Sequence, residues 1–180
     1  MSSSAGPDLQ SLFELFAPPS YLRDYQIIPA EQVPAPYHGL LVHEHHMTVT
    51  VESHHGSLVD VKVLDKKRDG NSYARKILLS LQSDGRIVMF GLVRIWLHYC
   101  SDEVAAEILA EKTPIGRVLI NHNVLRRIEP TEFLRITPGP DMMQWFGITT
   151  PEVTYGRQAI IHCDGQPAVE LLEIVAPESK

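Results

Sequence analysis

Three Asp-Gly turns separate apolar runs of this chain that lie too close together for helical crossovers. The turns are Asp69-Gly70-Asn71, Asp84-Gly85 and Asp164-Gly165. Asp-Gly between two apolar runs is typical of a β-hairpin, because glycine readily adopts the backbone conformation of a tight turn. Strands joined by such short turns run antiparallel. The sequence therefore predicts an antiparallel sheet as the main element of the fold.

The remaining pattern predicts helices packed against that sheet. Apolar residues follow helical spacing from Asp8 to Phe16, after Ser101 and after Thr113-Pro114. Alternating segments predict strands from Met47 to His98 and from Val124 to Val175, about six in all. We therefore expect a single-domain α+β fold with an antiparallel sheet and helices on one face.

Two finer expectations concern the first third of the chain. Residues 1–39 are predicted to form an N-terminal helix and a Pro-rich connector, and residues 40–180 to form the sheet domain. Met47, Val49 and Val51 alternate with polar residues, which predicts that the sheet begins with a strand having one exposed face.

Composition limits the classes of function. The chain has 180 residues, of which 44% are hydrophobic, enough for one domain with a substantial core. A net charge of −6 argues against a nucleic-acid-binding surface or a polybasic membrane patch. No run of eighteen apolar residues and no signal-peptide pattern occurs, so we expect a cytoplasmic protein. Cys100 and Cys163 lack metal or redox spacing and are expected to be reduced thiols.

An arginine interrupts the apolar face of one predicted strand. Tyr73, Arg75, Ile77, Leu79 and Leu81 share that face, since side chains of a strand alternate between its two sides. A guanidinium remains charged at ordinary pH and needs an anionic partner when it is buried. The sequence therefore predicts that Arg75 pairs with a protein carboxylate or with a ligand.

A glutamate presents the corresponding problem near the end of the chain. Glu173 shares a predicted strand face with Val169, Leu171 and Val175. An acid on such a face is expected to have a raised pKa, because burial disfavours its charged form.

Four segments, in this order and spacing, carry a family resemblance. They are His46-Met47-Thr48 with Glu52, Tyr73 to Leu79, Lys112-Thr113-Pro114-Ile115-Gly116-Arg117, and Tyr155-Gly156-Arg157 through Gly165-Gln166-Pro167 to Glu173. From about residue 40 to residue 177, the chain resembles the chorismate pyruvate-lyases, which release pyruvate from chorismate and leave 4-hydroxybenzoate. The resemblance implies an enzyme, a carbon-oxygen lyase, with the chorismate lyase-like fold and the small molecule chorismate as its partner.

The resemblance also implies roles for individual residues. Arg75 would bind the ring carboxylate of chorismate, flanked by backbone groups of Met47 and Ile115 and by the helix start that includes Gly116. Glu173 would lie near the 4-hydroxyl as a hydrogen-bond partner and acid or base. Arg157 would bind the carboxylate of the enolpyruvyl group or form a surface ion pair. Aromatisation drives the elimination, so no cofactor and no metal are expected.

Two departures from the family pattern leave alternatives open. The stretch from Gly165 to Glu173 is one residue longer than the pattern, which requires a β-bulge or makes Glu170 a rival for the role of Glu173. The strand containing Gly91 offers Arg94 where the family has a Gly-Arg pair.

The principal alternative is a non-catalytic binding module of the same fold for a hydroxybenzoate-type ligand. Such modules also serve as effector-sensing domains of transcription regulators, preceded by a winged-helix segment. The residues before position 40 are neither basic nor helix-turn-helix in pattern, so a DNA-bound sensor is disfavoured.

A second alternative is a metal site among the histidines. His43, His45, His46, His54 and His55 lie close together in the sequence, and His43 and His45 have a spacing that can bind a metal. Nothing in the sequence fixes a third or fourth ligand, so a solvated polar segment is the favoured interpretation.

Overall fold

The structure is a computed structural model that describes residues 8–16 and 20–178. The helices are α1 (Leu9–Phe13), α2 (Tyr37–Leu41), α3 (Met47–His55), α4 (Asp102–Leu109), α5 (Ile115–Asn121) and α6 (Pro140–Phe146). Two short 3-10 helices span Ala30–Gln32 and Leu97–Tyr99. The strands are β1 (Leu22–Ile28), β2 (Val59–Asp69), β3 (Ser72–Leu81), β4 (Ile87–Trp96), β5 (Arg126–Pro138), β6 (Thr154–Cys163) and β7 (Gln166–Val175).

All seven strands form one antiparallel sheet in the order β1-β5-β6-β7-β4-β3-β2. The predicted hairpins are confirmed, since the three Asp-Gly turns connect β2 to β3, β3 to β4 and β6 to β7. Gly70, Gly85 and Gly165 in these turns have φ of 57°, 76° and 80°, in the region that favours glycine. The α+β fold with an antiparallel sheet is therefore confirmed, with seven strands where the sequence predicted about six.

The predicted strand at Met47 is wrong, because residues 47–55 form helix α3. Met47, Thr48 and Val51 are buried, whereas Val49 is 40% exposed, which is the spacing of one helical face and not of a strand. The helix ends at Gly56, whose φ of 64° forms a left-handed cap. The alternation of apolar residues with threonine suggested a strand, but packing against the sheet favours a helix here.

Helices cover both faces of the sheet, although the sequence placed them on one. The site face, defined as the face that carries Arg75, Ile77, Arg157 and Glu173, packs against α2, α3, α4 and α5. The opposite face packs against α1 and α6 through apolar residues such as Phe90. A layer of four helices therefore covers the site face of the sheet.

The segment before residue 40 forms part of the sheet, so it is more than a connector to the rest of the fold. β1 pairs with β5 at one edge of the sheet, and the Pro-rich stretch after it leads into α2. The proposed division between residues 1–39 and 40–180 stays a prediction.

No helix in the described part of the chain is long and apolar enough to span a membrane.

Candidate anion-binding site

Arg75 is buried on the site face, as its position in β3 predicts. Its exposed fraction is 1%, and its Nε and Nη1 groups have no hydrogen-bond partner within residues 8–16 and 20–178. Burial lowers the pKa of the guanidinium, while the neighbouring Tyr73 and Glu111 oppose that shift. Since a guanidinium is far from deprotonation at ordinary pH, the side chain stays cationic despite the lowered pKa. The site therefore holds a positive charge with unused hydrogen-bond donors.

Glu111 is the acid whose charge acts on Arg75, and it is already engaged. Its carboxylate accepts a hydrogen bond of 2.6 Å from the Tyr73 hydroxyl and one of 3.2 Å from Lys66. The Tyr73 hydrogen bond is the main cause that lowers the pKa of Glu111. Glu111 thus supplies a nearby negative charge without satisfying the Nε and Nη1 groups of Arg75. Nothing in the sequence pattern indicated this contact.

Glu173 forms a buried ion pair with Arg157 on the neighbouring strand. The Arg157 Nε group donates to Glu173 Oε2 at 2.9 Å, and the two side chains are 1% and 8% exposed. Burial raises the pKa of Glu173, and the adjacent guanidinium opposes this shift. The raised pKa agrees with the expectation from sequence, but the carboxylate has an internal partner that the sequence left open.

Arg157 uses its other nitrogens to anchor the loop before α3. Nη1 donates to the carbonyl of His43 and Nη2 to the carbonyl of His45, each at 2.9 Å. The guanidinium therefore connects β6, β7 and the loop between α2 and α3. These contacts account for both of its Nη groups as well as for its Nε group.

The buried charges of the site face do not balance. Among the described residues, the buried arginines and acids are Arg75, Arg157 and Glu173. Glu173 neutralises Arg157 by direct contact, and Arg75 remains as a buried cation without a contacting acid. The site therefore lacks one negative group, and this is costly because the charge of Arg75 is buried without compensation.

Gly91 lies between Arg75 and Glu173 in the sheet. It pairs with Ile77 on one side and with Glu173 on the other, while Arg75 pairs with Val93 on the same strand. Standard strand spacings place the Cα atoms of Arg75 and Glu173 about 12 Å apart on the same face. A Cβ at Gly91 would lie 3.2 Å from Ile77 Cδ1, so the side chain of Ile77 packs over this position.

Met47, Ile115 and Gly116 lie where two helices meet above the site face. Met47 begins α3 and Ile115 begins α5, and both side chains are buried. A Cβ added to Gly116 would lie 3.0 Å from both His46 Cβ and Thr48 Oγ1, so the two helix starts are in direct contact.

An ion pair reinforces this contact between the helices. Arg117 of α5 pairs with Glu52 of α3, and Glu52 also accepts a hydrogen bond from the backbone N–H of Val59. Two of the four segments that carry the family resemblance are therefore joined in space.

Glu170, the alternative to Glu173, lies on the opposite face of the sheet. It pairs there with Arg94, whose Nε group donates to Glu170 Oε2 at 2.8 Å. The expected β-bulge is confirmed, because the register between β6 and β7 shifts between the pairs Ile161 with Val169 and His162 with Pro167. The bulge places Glu173 on the face that carries Arg75.

His46 is a buried polar residue whose partner the sequence did not reveal. It accepts a hydrogen bond of 2.6 Å from the Nε group of Arg126. Burial, aided by the charge of Arg126, lowers the pKa of His46 to about 4. His46 is therefore a neutral structural acceptor.

The rings of His43 and His45 stack 5.5 Å apart at their centroids, near Arg157.

Comparisons with known proteins found similar structures only. No family model and no curated protein matches the chain. PhnF from Mycobacterium smegmatis has 8% identity and a TM-score of 0.49, over 72% of this chain and 62% of that one. The possible transcriptional regulator YydK from Bacillus subtilis has 10% identity and a TM-score of 0.44, over 65% and 57%. A GntR-family transcriptional regulator from Bacillus cereus has 14% identity and a TM-score of 0.43, over 68% and 94%. This chain thus spans less than two thirds of PhnF and YydK.

The prediction that the chain is a lyase enzyme is wrong on these findings. Two of the similar structures named above are a possible transcriptional regulator and a GntR-family transcriptional regulator. The site offers a physical reason, because the carboxylate assigned as acid or base is bound to Arg157. The resemblance to the chorismate lyases is thereby reduced to one of fold.

Proposed function

We propose that the chain is a non-catalytic binding domain for a small carboxylate ligand of the hydroxybenzoate type. The observation that carries this proposal is the buried guanidinium of Arg75, whose Nε and Nη1 groups lack hydrogen-bond partners in the described part of the chain. A ligand carboxylate would supply the missing negative charge and accept charge-assisted hydrogen bonds. The proposal rests on this residue and not on the names of the similar structures.

An aromatic ring suits the surroundings of the cation. Arg75 shares its strand face with Tyr73 and Ile77, and Val93 is its neighbour on β4. An apolar body with one anionic group would bury its ring against these side chains while its carboxylate meets the guanidinium. A ligand of one ring is preferred over a larger polyanion, because only one buried positive charge among the described residues lacks a contacting acid.

The other predicted residues take supporting roles in this proposal. Met47, Ile115 and Gly116 would contribute backbone groups beside the carboxylate, since they lie at the contact of α3 and α5 on the site face. Glu173 would accept a hydrogen bond from a hydroxyl at the far end of the ring. Arg157 would hold Glu173 in place and would not contact the ligand itself.

A calorimetric titration with three compounds tests the proposal. 4-Hydroxybenzoate should bind, whereas 4-hydroxybenzamide and phenol should not, because neither offers an anionic group of the same shape. Arg75→Met should weaken the binding of 4-hydroxybenzoate by about 2 to 5 kcal/mol, the cost of removing one side of a buried charge pair.

Arg94→Met is the matched control. Arg94 is an arginine of the next strand that faces the opposite side of the sheet and pairs with Glu170. Its replacement should leave the affinity for 4-hydroxybenzoate unchanged. Equal binding of the carboxylate and the amide, or equal affinity in the parent protein and Arg75→Met, would show that Arg75 is a structural residue and would overturn the proposal.

A further inference from the structure

A cluster of metal-ligating side chains lies at the end of α3 that is remote from Met47. His54 and His55 are the last two residues of the helix, and Glu178 follows β7, more than a hundred residues later in the chain. The ligand atoms of these three residues lie within 4.8 Å of one another. The sequence placed His54 and His55 in a histidine-rich stretch but supplied no third ligand for them.

The geometry of the three side chains is close to that of a zinc site. His54 Nε2 lies 3.0 Å and His55 Nε2 4.0 Å from Glu178 Oε1, and the two rings are nearly perpendicular. Zinc binds imidazole nitrogen and carboxylate oxygen at about 2.0 to 2.2 Å, so ligand atoms around a tetrahedral ion lie about 3.3 Å apart. Small side-chain rotations would therefore bring these atoms to coordination distance.

The backbone on both sides of the cluster is fixed. Gly56 ends α3 in a left-handed cap immediately after His55. The backbone N–H of Glu178 donates to the Tyr37 hydroxyl at 2.8 Å, and that of Ala176 donates to the carbonyl of Val88 at 2.9 Å. The three ligands are thus presented by anchored segments, which reduces the entropy that metal binding would cost.

The local charges also favour a cation. The C-terminal end of a helix carries a partial negative charge, and both histidines lie in the last turn of α3. Glu178 adds a full negative charge in direct contact with His54. The positive charge of Arg86 disfavours a cation near His55. The negative charge of Asp84, which forms an ion pair with Arg86, offsets this effect.

We infer that His54, His55 and Glu178 form a binding site for a divalent metal ion of the zinc type. The two imidazoles and one carboxylate provide three of four tetrahedral ligands, and water would supply the fourth. The bound ion would join the C-terminal end of α3 to the segment after β7. This inference departs from the sequence-based expectation of no metal, because it depends on a contact that only the fold creates.

Zinc titration of the untagged protein tests the inference. Isothermal titration with zinc chloride should show one ion bound per chain. His54→Ala and Glu178→Gln should each weaken zinc binding by about tenfold or more, since each removes one of three ligands. Zinc should also raise the unfolding temperature of the parent protein and not that of these variants, because the ion binds the folded chain.

Two control variants separate this site from other histidines. His122 pairs with Glu107 and belongs to no cluster of three or more metal-ligating side chains among the described residues, so His122→Ala removes a comparable contact at a different place. His45→Ala removes a member of the stacked pair at the other end of α3. Both variants should keep the zinc affinity of the parent protein. The inference is overturned if the parent protein takes up no more zinc than His54→Ala, or if either control lowers the affinity as much.

Discussion

Arg157 and Glu173 face each other across β6 and β7, with the Arg157 Nε group 2.9 Å from Glu173 Oε2. Both side chains are almost fully buried, and the guanidinium also holds two carbonyls of the loop before α3. The pair therefore gives Glu173 an internal cation, while Arg75 is a buried charge without a contacting acid among the described residues.

Replacing Arg157 by methionine should destabilise the protein strongly. Arg157→Met leaves the Glu173 carboxylate buried without a cation and frees the carbonyls of His43 and His45. Removal of one partner from a buried ion pair costs about 3 to 5 kcal/mol. The free energy of unfolding from urea denaturation measures this loss.

The double variant tests the cause of that loss. Arg157→Met combined with Glu173→Met removes both charges, so it should recover part of the lost stability. If the double variant is less stable than Arg157→Met alone, the unpaired carboxylate is not the cause.

Replacing Arg75 by methionine should have the opposite effect on stability. The unliganded protein bears the cost of a buried cation with unsatisfied donors, and Arg75→Met removes it. We expect the free energy of unfolding to stay constant or to rise by about 1 kcal/mol or more, in the absence of any carboxylate ligand. A loss as large as that expected for Arg157→Met would mean that Glu111 and Tyr73 already satisfy Arg75.

Adding one methyl group at Gly116 should disturb the contact between α3 and α5. The new Cβ of Gly116→Ala would lie 3.0 Å from His46 Cβ and Thr48 Oγ1, closer than packed atoms tolerate. Overpacking of this kind costs about 1 to 3 kcal/mol. The change should also weaken ligand binding, because the helix starts would move above the site face.

Gly39→Ala is the control for Gly116→Ala. Gly39 lies within α2, and a Cβ there would meet nothing within 4 Å. Alanine is favoured over glycine in a helix, so Gly39→Ala should leave stability unchanged or raise it by about 0.5 to 1 kcal/mol. Thermal and urea unfolding of the two variants compare the effects, and equal stabilities would contradict the close contact at Gly116.

The parts of the fold that the sequence predicts are those set by local signals. Asp-Gly turns define the hairpins, and alternation places Arg75 and Glu173 on one buried face. Helix α3 was missed because β-branched residues alternate from Met47 to Val51, while burial against the sheet selects a helix. Strand β1 was missed because its residues, Leu-Arg-Asp-Tyr-Gln-Ile-Ile, do not alternate between apolar and polar, and pairing with the distant β5 forms it.

The sequence predicted the burial of Arg75 and Glu173 but not the contacts around them. Sequence indicates that a buried arginine needs an acid, but it does not indicate which acid lies closest. The contacts Arg157 with Glu173 and Tyr73 with Glu111 depend on strand order and on the position of the loop after α4. The partner of Glu173 likewise comes from another strand, so the sequence did not indicate it.

The last prediction concerns His46 and the pH dependence of stability. Burial and the hydrogen bond from Arg126 favour the neutral imidazole, and the pKa of His46 is lowered to about 4 from 6.5. A histidine with a depressed pKa stabilises the fold fully above pH 6.5 and loses that contribution as the pH falls toward 4. A shift of this size corresponds to roughly 3 kcal/mol.

His46→Gln keeps a hydrogen-bond acceptor for Arg126 but cannot titrate in this range. Urea denaturation of both proteins between pH 7 and pH 4 should show the parent protein losing stability relative to His46→Gln as the pH falls. The comparison cancels the titration of groups common to both, including Glu173, whose raised pKa acts in the opposite direction. A stability difference that stays constant over this range would show that His46 titrates alike in the folded and unfolded chain and that Arg126 does not hold it neutral.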